Sequence, residues 1–159
     1  FNFSYLNYIP YFDKKENLLN KIHSDVNDIY EVLTKMQDAR SQIKDLQKRL
    51  GSEFSDIVDL SKETLDLIND TEVKLISPKQ KTFQDVINFR NQLDAQLMDL
   101  LSTVNRNIPP ITNGQLDRFE DLHSTWLEIR VNYDKILSNI NSINSMLIES
   151  SVPYISKGQ

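Results

Sequence analysis

Eight residues constrain this chain more than all the others. Its three glycines and five prolines fall at Pro10, Gly51, Pro78, Pro109, Pro110, Gly114, Pro153 and Gly158, between or outside long amphipathic runs. Glycine and proline are the residues a helix interior tolerates worst. Their placement therefore predicts an all-α chain: four helices, at about 13–50, 53–76, 82–104 and 113–149, joined by three turns. Residues 13–155 read as one bundle, followed by a 156–159 tail. A connection as short as that at Gly51 reverses the chain, which predicts an up-down-up-down path with long first and fourth helices.

Each run repeats apolar residues three or four positions apart. In the first, Ile22, Val26, Ile29, Leu33, Met36, Arg40, Ile43, Gln47 and Leu50 keep that spacing. One stripe of a helix surface is thereby apolar. Arg40 interrupts it, and an arginine that snorkels or pairs with a neighbouring carboxylate accounts for such a residue better than an anion site does. Gly51-Ser52 reads as a C-terminal glycine followed by an N-cap, with Glu53 in the first turn of the second helix. The second run offers Phe54, Ile57, Val58, Leu65, Ile68 and Leu75 to the core, and Ser77-Pro78 ends it.

The third run carries Phe83, Val86, Phe89, Leu93, Leu97, Leu100, Leu101 and Val104. Thr112-Asn113-Gly114-Gln115 has the spacing of a capping box and marks the start of the fourth helix. There Phe119, Leu122, Trp126, Ile129, Tyr133, Ile136, Ile140, Ile143 and Leu147 follow the three–four rule without a miss. Ser138-Asn139-Ile140-Asn141 is poor in helix formers, which predicts a break or kink. The first twelve residues differ in kind. Phe1, Phe3, Tyr5, Tyr8, Tyr11 and Phe12 crowd ahead of any helix signal, as a strap on the bundle or a linker from a preceding domain. They form the candidate interface.

Composition narrows the function classes. Apolar content of 39% and charged content of 26% suit a folded domain rather than a disordered one. A net charge of −5 argues against nucleic-acid partners, which select a basic face. No cysteine is present, so thiolate metal sites and disulfides are excluded. No apolar run reaches the length of a membrane span. The sequence starts at Phe1 with no signal-like pattern, as a fragment or processed product would.

Chemistry finds little to stand on. Glu120 and His123 form a Glu-x-x-His pair of the kind di-iron bundles use twice, but His23 is preceded at that spacing by Asn20. No glycine-rich phosphate loop exists, and no serine sits in a nucleophile elbow. Pairs such as Asp56/Asp59 and Glu63/Asp66 read as solvated helix faces. The residues predict no enzyme, no metal and no cofactor.

Two stretches carry a family resemblance. Asp85, Asn88, Phe89 and Leu93, then Pro110, Thr112 and Gln115, match an Asp-x-x-Asn-Phe/Tyr-Pro-x-x-Leu core followed by a Pro-Thr-x-x-Gln helix start. That pattern is similar to the carboxy-terminal helical region of large bacterial sortilin-like β-propeller proteins, often labelled glycosyl hydrolases with neuraminidase-type repeats. Arg40, within Asp38-Ala39-Arg40-Ser41-Gln42-Ile43, resembles the family's Arg-x-x-Arg-x-Gln-Leu. Asn144, before Met146-Leu147 and Val152-Pro153, resembles its final Asn-x-Leu-Leu and Val-Pro. Arg90 departs from the pattern, standing where many relatives have proline.

The resemblance covers most of residues 18–155. It implies a non-catalytic accessory domain at the end of a larger exported protein, outside the cytoplasm, with an upstream β-propeller in the same chain as its partner. Any glycosidase activity would belong to that propeller. The residues alone also accommodate a free-standing coiled-coil adaptor or oligomerisation module.

Overall fold

The computed structural model describes residues 9–50, 54–77, 91–106 and 110–150. These form four helices: α1 Ile9–Arg49, α2 Ser55–Leu75, α3 Leu93–Arg106 and α4 Asn113–Glu149. Among the described residues there is no strand, and the chain is all-α with four helices, as the glycine and proline positions predict.

Its path is not up-down-up-down. Lys15 Nζ donates to the Asn105 carbonyl at 2.8 Å and Tyr30 to Asp94 at 3.3 Å, so α3 runs antiparallel to α1. Phe54–Ile57 lie beside Met146 and Glu149, and Lys135 pairs with Glu63 at 3.0 Å, so α2 runs antiparallel to α4. Asp25 meets His123 and Asp28 meets Arg130, which makes α1 and α4 parallel. Helices α2 and α3 therefore point the same way. Lys74 near the end of α2 and Leu93 at the start of α3 face the same stretch of α4, around Asp121–Asn132. The two helices stand end to end.

The result is three rods, up, down and up, with the middle one in two pieces. Lengths agree: α2 and α3, at 21 and 14 residues, together nearly match the 37 of α4. At about 1.5 Å per residue each rod is roughly 50–60 Å long. Only a short connection dictates a reversal, and residues 76–92 are too many to do so.

The seam of α1 also differs from its expected stripe. Leu18, Ile22, Asp25, Ile29, Val32, Met36, Ala39, Ile43 and Leu46 are all buried, at strict four–three spacing. Val26 and Leu33 flank that seam, and Arg40 and Gln47 continue the flank. Arg40 thus interrupts nothing. Because α1 touches both other rods, its buried face is wider than one stripe: the Asp25 side meets α4 and the Arg40 side meets α2.

In α2 the buried positions are Ile57, Ser61, Thr64, Ile68, Thr71 and Leu75. Three hydroxyl residues occupy seam positions, while Phe54, Val58 and Leu65, expected there, are only partly buried. Thr64 and Thr71 donate to the carbonyls of Leu60 and Leu67, each at 2.7 Å, which satisfies them without a partner from another helix. Small side chains suit a rod wedged between two others.

Several helix ends move. Pro10 lies in the first turn of α1, where its missing N–H costs no bond. Tyr11 and Phe12 are consequently helical rather than leader, and are 43% and 57% exposed. Phe1, Phe3, Tyr5 and Tyr8 lie outside the described residues. Helix α2 is preceded by Phe54, with no side-chain cap, and Asp56 supplies its first-turn acid, while Gly51, Ser52 and Glu53 lie outside the described residues. Helix α3 begins eleven residues later than expected, with Gln96 N–H reaching the Gln92 carbonyl at 3.1 Å to close the first turn. Helix α4 is unbroken through 138–141. There Ser142 and Ser145 donate to the carbonyls of Ser138 and Asn141, an arrangement that holds serine inside a helix.

Candidate functional site

Where α1 and α4 run parallel, a charged residue enters the core. Asp25 stands in the α1 seam between Ile22 and Ile29, and its side chain is 7% exposed. Burying a carboxylate is costly unless it is paired. Its partner is His123, whose Nδ1 lies 2.8 Å from Asp25 Oδ2. An ionised carboxylate only accepts, so Nδ1 carries the hydrogen and Nε2 is left for the outside. Phe119 stacks on the imidazole with ring centres 5.5 Å apart, and Lys21 Nζ lies 5.9 Å from the centre of the Phe119 ring. Lys21, Ser24 and Glu120 complete the rim of a notch of about 240 Å³.

This geometry uses His123 to satisfy Asp25. Glu120, the other half of the Glu-x-x-His pair, is exposed on the rim. Among the described residues no three histidine or carboxylate groups are arranged to hold a metal. Sequence reasoning missed Asp25 because it assigned Val26 to the seam. The signal was present: writing the seam from Leu18 in steps of four and three lands on Asp25.

The second polar contact lies on the other side of α1. The Arg40 guanidinium pairs with Glu72 of α2, and Gln37 Nε2 donates to the same carboxylate at 3.0 Å. Burial pushes Glu72 up, but the hydrogen bonds from Arg40 and Gln37, with the Arg40 charge, outweigh it and hold the carboxyl below its ordinary value. Arg40 is thus an ion-pair residue between helices. Lower down, Tyr30 donates to Asp94, whose other oxygen accepts the Ala95 N–H at 2.6 Å. Burial raises Asp94 despite those bonds, and burial followed by the Asp94 charge raises Tyr30.

The motif residues separate in space. Leu93 is a core residue at the start of α3, and Asp85, Asn88 and Phe89 lie outside the described residues. Thr112 and Gln115 form the expected capping box: the Thr112 side chain accepts from the Gln115 N–H, and Gln115 Oε1 accepts from the Thr112 N–H at 2.9 Å. Gln115 is itself buried as the first seam position of α4, while Pro110 is exposed. Asn144 sits half-buried near the far end of α4.

Two more surface depressions occur among the described residues. One, of about 430 Å³, lies between the first turns of α1 and α4 over Leu18, Ile111, Leu116 and Phe119. The other, of about 590 Å³, lies where α2 gives way to α3. Leu93, Leu122 and Ile129 line it beside Lys74, Arg118, Asp121 and Glu128, so its charges balance. Trp126, 1% exposed, is buried at about the same level of α4. No described helix is long and apolar enough to cross a membrane. The chain matches no protein-family model, no curated protein and no solved structure.

Proposed function

We propose that this chain is a non-catalytic helical module that spaces and supports neighbouring parts of a larger protein and presents its flanks for protein contact. The observation that carries this reading is the three-rod path. Helix α1 starts at one end of the bundle and α4 finishes at the other, because the two are parallel. An up-down-up-down bundle would bring both ends of the chain together. Here the start of α1 and the end of α4 are separated by roughly 50 Å, a length set by about 35 helical residues. The histidine and carboxylate positions with most chemical promise are occupied by contacts between helices, which supports a structural role.

The resemblance to the carboxy-terminal domain of exported sortilin-like propeller proteins gives this spacer a setting, with the propeller as its partner in the same chain. That setting rests on the sequence motifs around Asn88, Leu93, Thr112 and Gln115. A coiled-coil adaptor is the less favoured reading, since the α1 and α4 seams are used inside the bundle.

Two measurements test the proposal. Cysteines at Tyr11 and Ser150, in a chain with none of its own, place labels at the two ends. Spin-label distances near 50–60 Å are expected, whereas distances below about 30 Å would refute the spacer geometry. Deleting residues 9–150 from the full-length protein should shorten its maximum dimension in solution scattering by a similar amount. An unchanged dimension would refute the spacing role, and an obligate oligomer of the chain alone would favour the adaptor.

A further inference from the structure

We propose that His123 is a phosphoryl acceptor, its Nε2 taking an activated phosphoryl group from a small acyl phosphate or phosphoramidate. An imidazole attacks an electrophile through the nitrogen that carries no hydrogen, so the tautomer decides which end of the ring reacts. The contact with Asp25 occupies Nδ1 alone, at 2.8 Å, and keeps the hydrogen there. The lone pair therefore sits on Nε2, on a side chain that is 36% exposed while its carboxylate partner is buried. Phe119 stacks on the imidazole with the two planes 22° apart and limits its rotation. Together Asp25 and Phe119 leave one ring nitrogen of His123 for the notch that it lines.

Phosphoryl transfer asks a protein for position and charge rather than covalent chemistry. Lys21 and Ser24 of α1 line the same notch of about 240 Å³, a cation and a hydroxyl for the phosphoryl oxygens. Glu120 is the opposing charge on its rim, and Lys21 offsets it. In the transfer step, the Nε2 lone pair forms a bond to phosphorus as the bond from phosphorus to the leaving group breaks. The leaving group departs with that electron pair, as a carboxylate from an acyl phosphate or as ammonia from a phosphoramidate protonated on nitrogen. The ring keeps its Nδ1 hydrogen and gains a positive charge, which the Asp25 carboxylate faces. The site belongs to α1 and α4 alone, and it adds a modification to the spacing role.

Potassium phosphoramidate and acetyl phosphate, each incubated with the intact chain, test the proposal, with phosphorylation mapped by mass spectrometry of peptides kept at alkaline pH. His23 is the internal control, an exposed histidine that no carboxylate holds among the described residues. His123 should be phosphorylated about tenfold faster than His23, the rate worth of one hydrogen bond to a charged group. Phosphorus NMR should place the group on Nε2. Asp25→Leu, with its fold checked by circular dichroism, should lower His123 to the rate of His23. Equal rates at the two histidines of the unaltered chain, attachment at Nδ1, or an unchanged His123 rate in Asp25→Leu would each overturn the proposal.

Discussion

Removing either partner of the Asp25–His123 pair should have very unequal effects. His123→Ala leaves a carboxylate that is 7% exposed without its hydrogen-bond donor. Breaking a buried pair this way costs about 3 kcal/mol, the low end of the usual range because the adjoining notch admits water. Asp25→Leu leaves His123, which is 36% exposed and regains a partner from solvent. The lost bond costs about 1.5 kcal/mol, and burying a leucine between Ile22 and Ile29 returns about 2 kcal/mol. The net change is close to zero. Urea unfolding monitored by circular dichroism reads both, and a 3 kcal/mol loss moves the midpoint by about 1–2 M for a chain of this size. The double variant should resemble Asp25→Leu, since no orphaned charge remains. If Asp25→Leu proves as damaging as His123→Ala, the pair is a net source of stability and the reasoning from desolvation fails.

Thr112→Ala removes one arm of the capping box and should cost about 1 kcal/mol in the same assay, with Thr112→Ser close to wild type. A loss under about 0.3 kcal/mol would mean that Gln115 alone holds the turn. Ser61 is fully buried and its hydroxyl has no partner among the described residues, so Ser61→Ala should be neutral or stabilising by up to about 1 kcal/mol, and clear destabilisation would refute that expectation. Glu72 titrates below its ordinary value in the folded chain, so its contribution is present above the unfolded value and is lost as pH falls through the folded one. Glu72→Gln should therefore cost about 2 kcal/mol at pH 7, with the gap to wild type closing below about pH 4. A gap that is constant with pH would remove the charge from the explanation.

The helices were legible because glycine, proline and apolar spacing are local signals. Thr112 and Gln115 announced their capping box for the same reason, and the four–three spacing of α4 placed every core residue from Phe119 to Leu147, with Tyr133 only partly buried. Direction was not local. Whether α3 reverses or continues α2 depends on how residues 76–92 carry the chain, and no pattern within α3 encodes that. The α1 seam failed for a related reason. Two stripes, one through Asp25 and Ala39 and one through Val26 and Arg40, fit the periodicity equally well, and only neighbours on both sides decide between them. Hydroxyls in the α2 seam were passed over because a threonine that bonds back to its own helix behaves as a small apolar residue. Asp25 hid behind the choice of seam.

The joint in the middle rod also sets how the bundle would resist bending. It resembles a beam with two continuous flanges, α1 and α4, and a third that is spliced partway along. Such a beam is stiff in the plane of its two flanges and most compliant out of that plane, towards the splice. A tilt of about 10° there would swing one end of the rod by roughly 5 Å, taking half its length as the lever arm. Anything attached beyond Ser150 would thus be carried along one preferred arc relative to anything attached before Ile9.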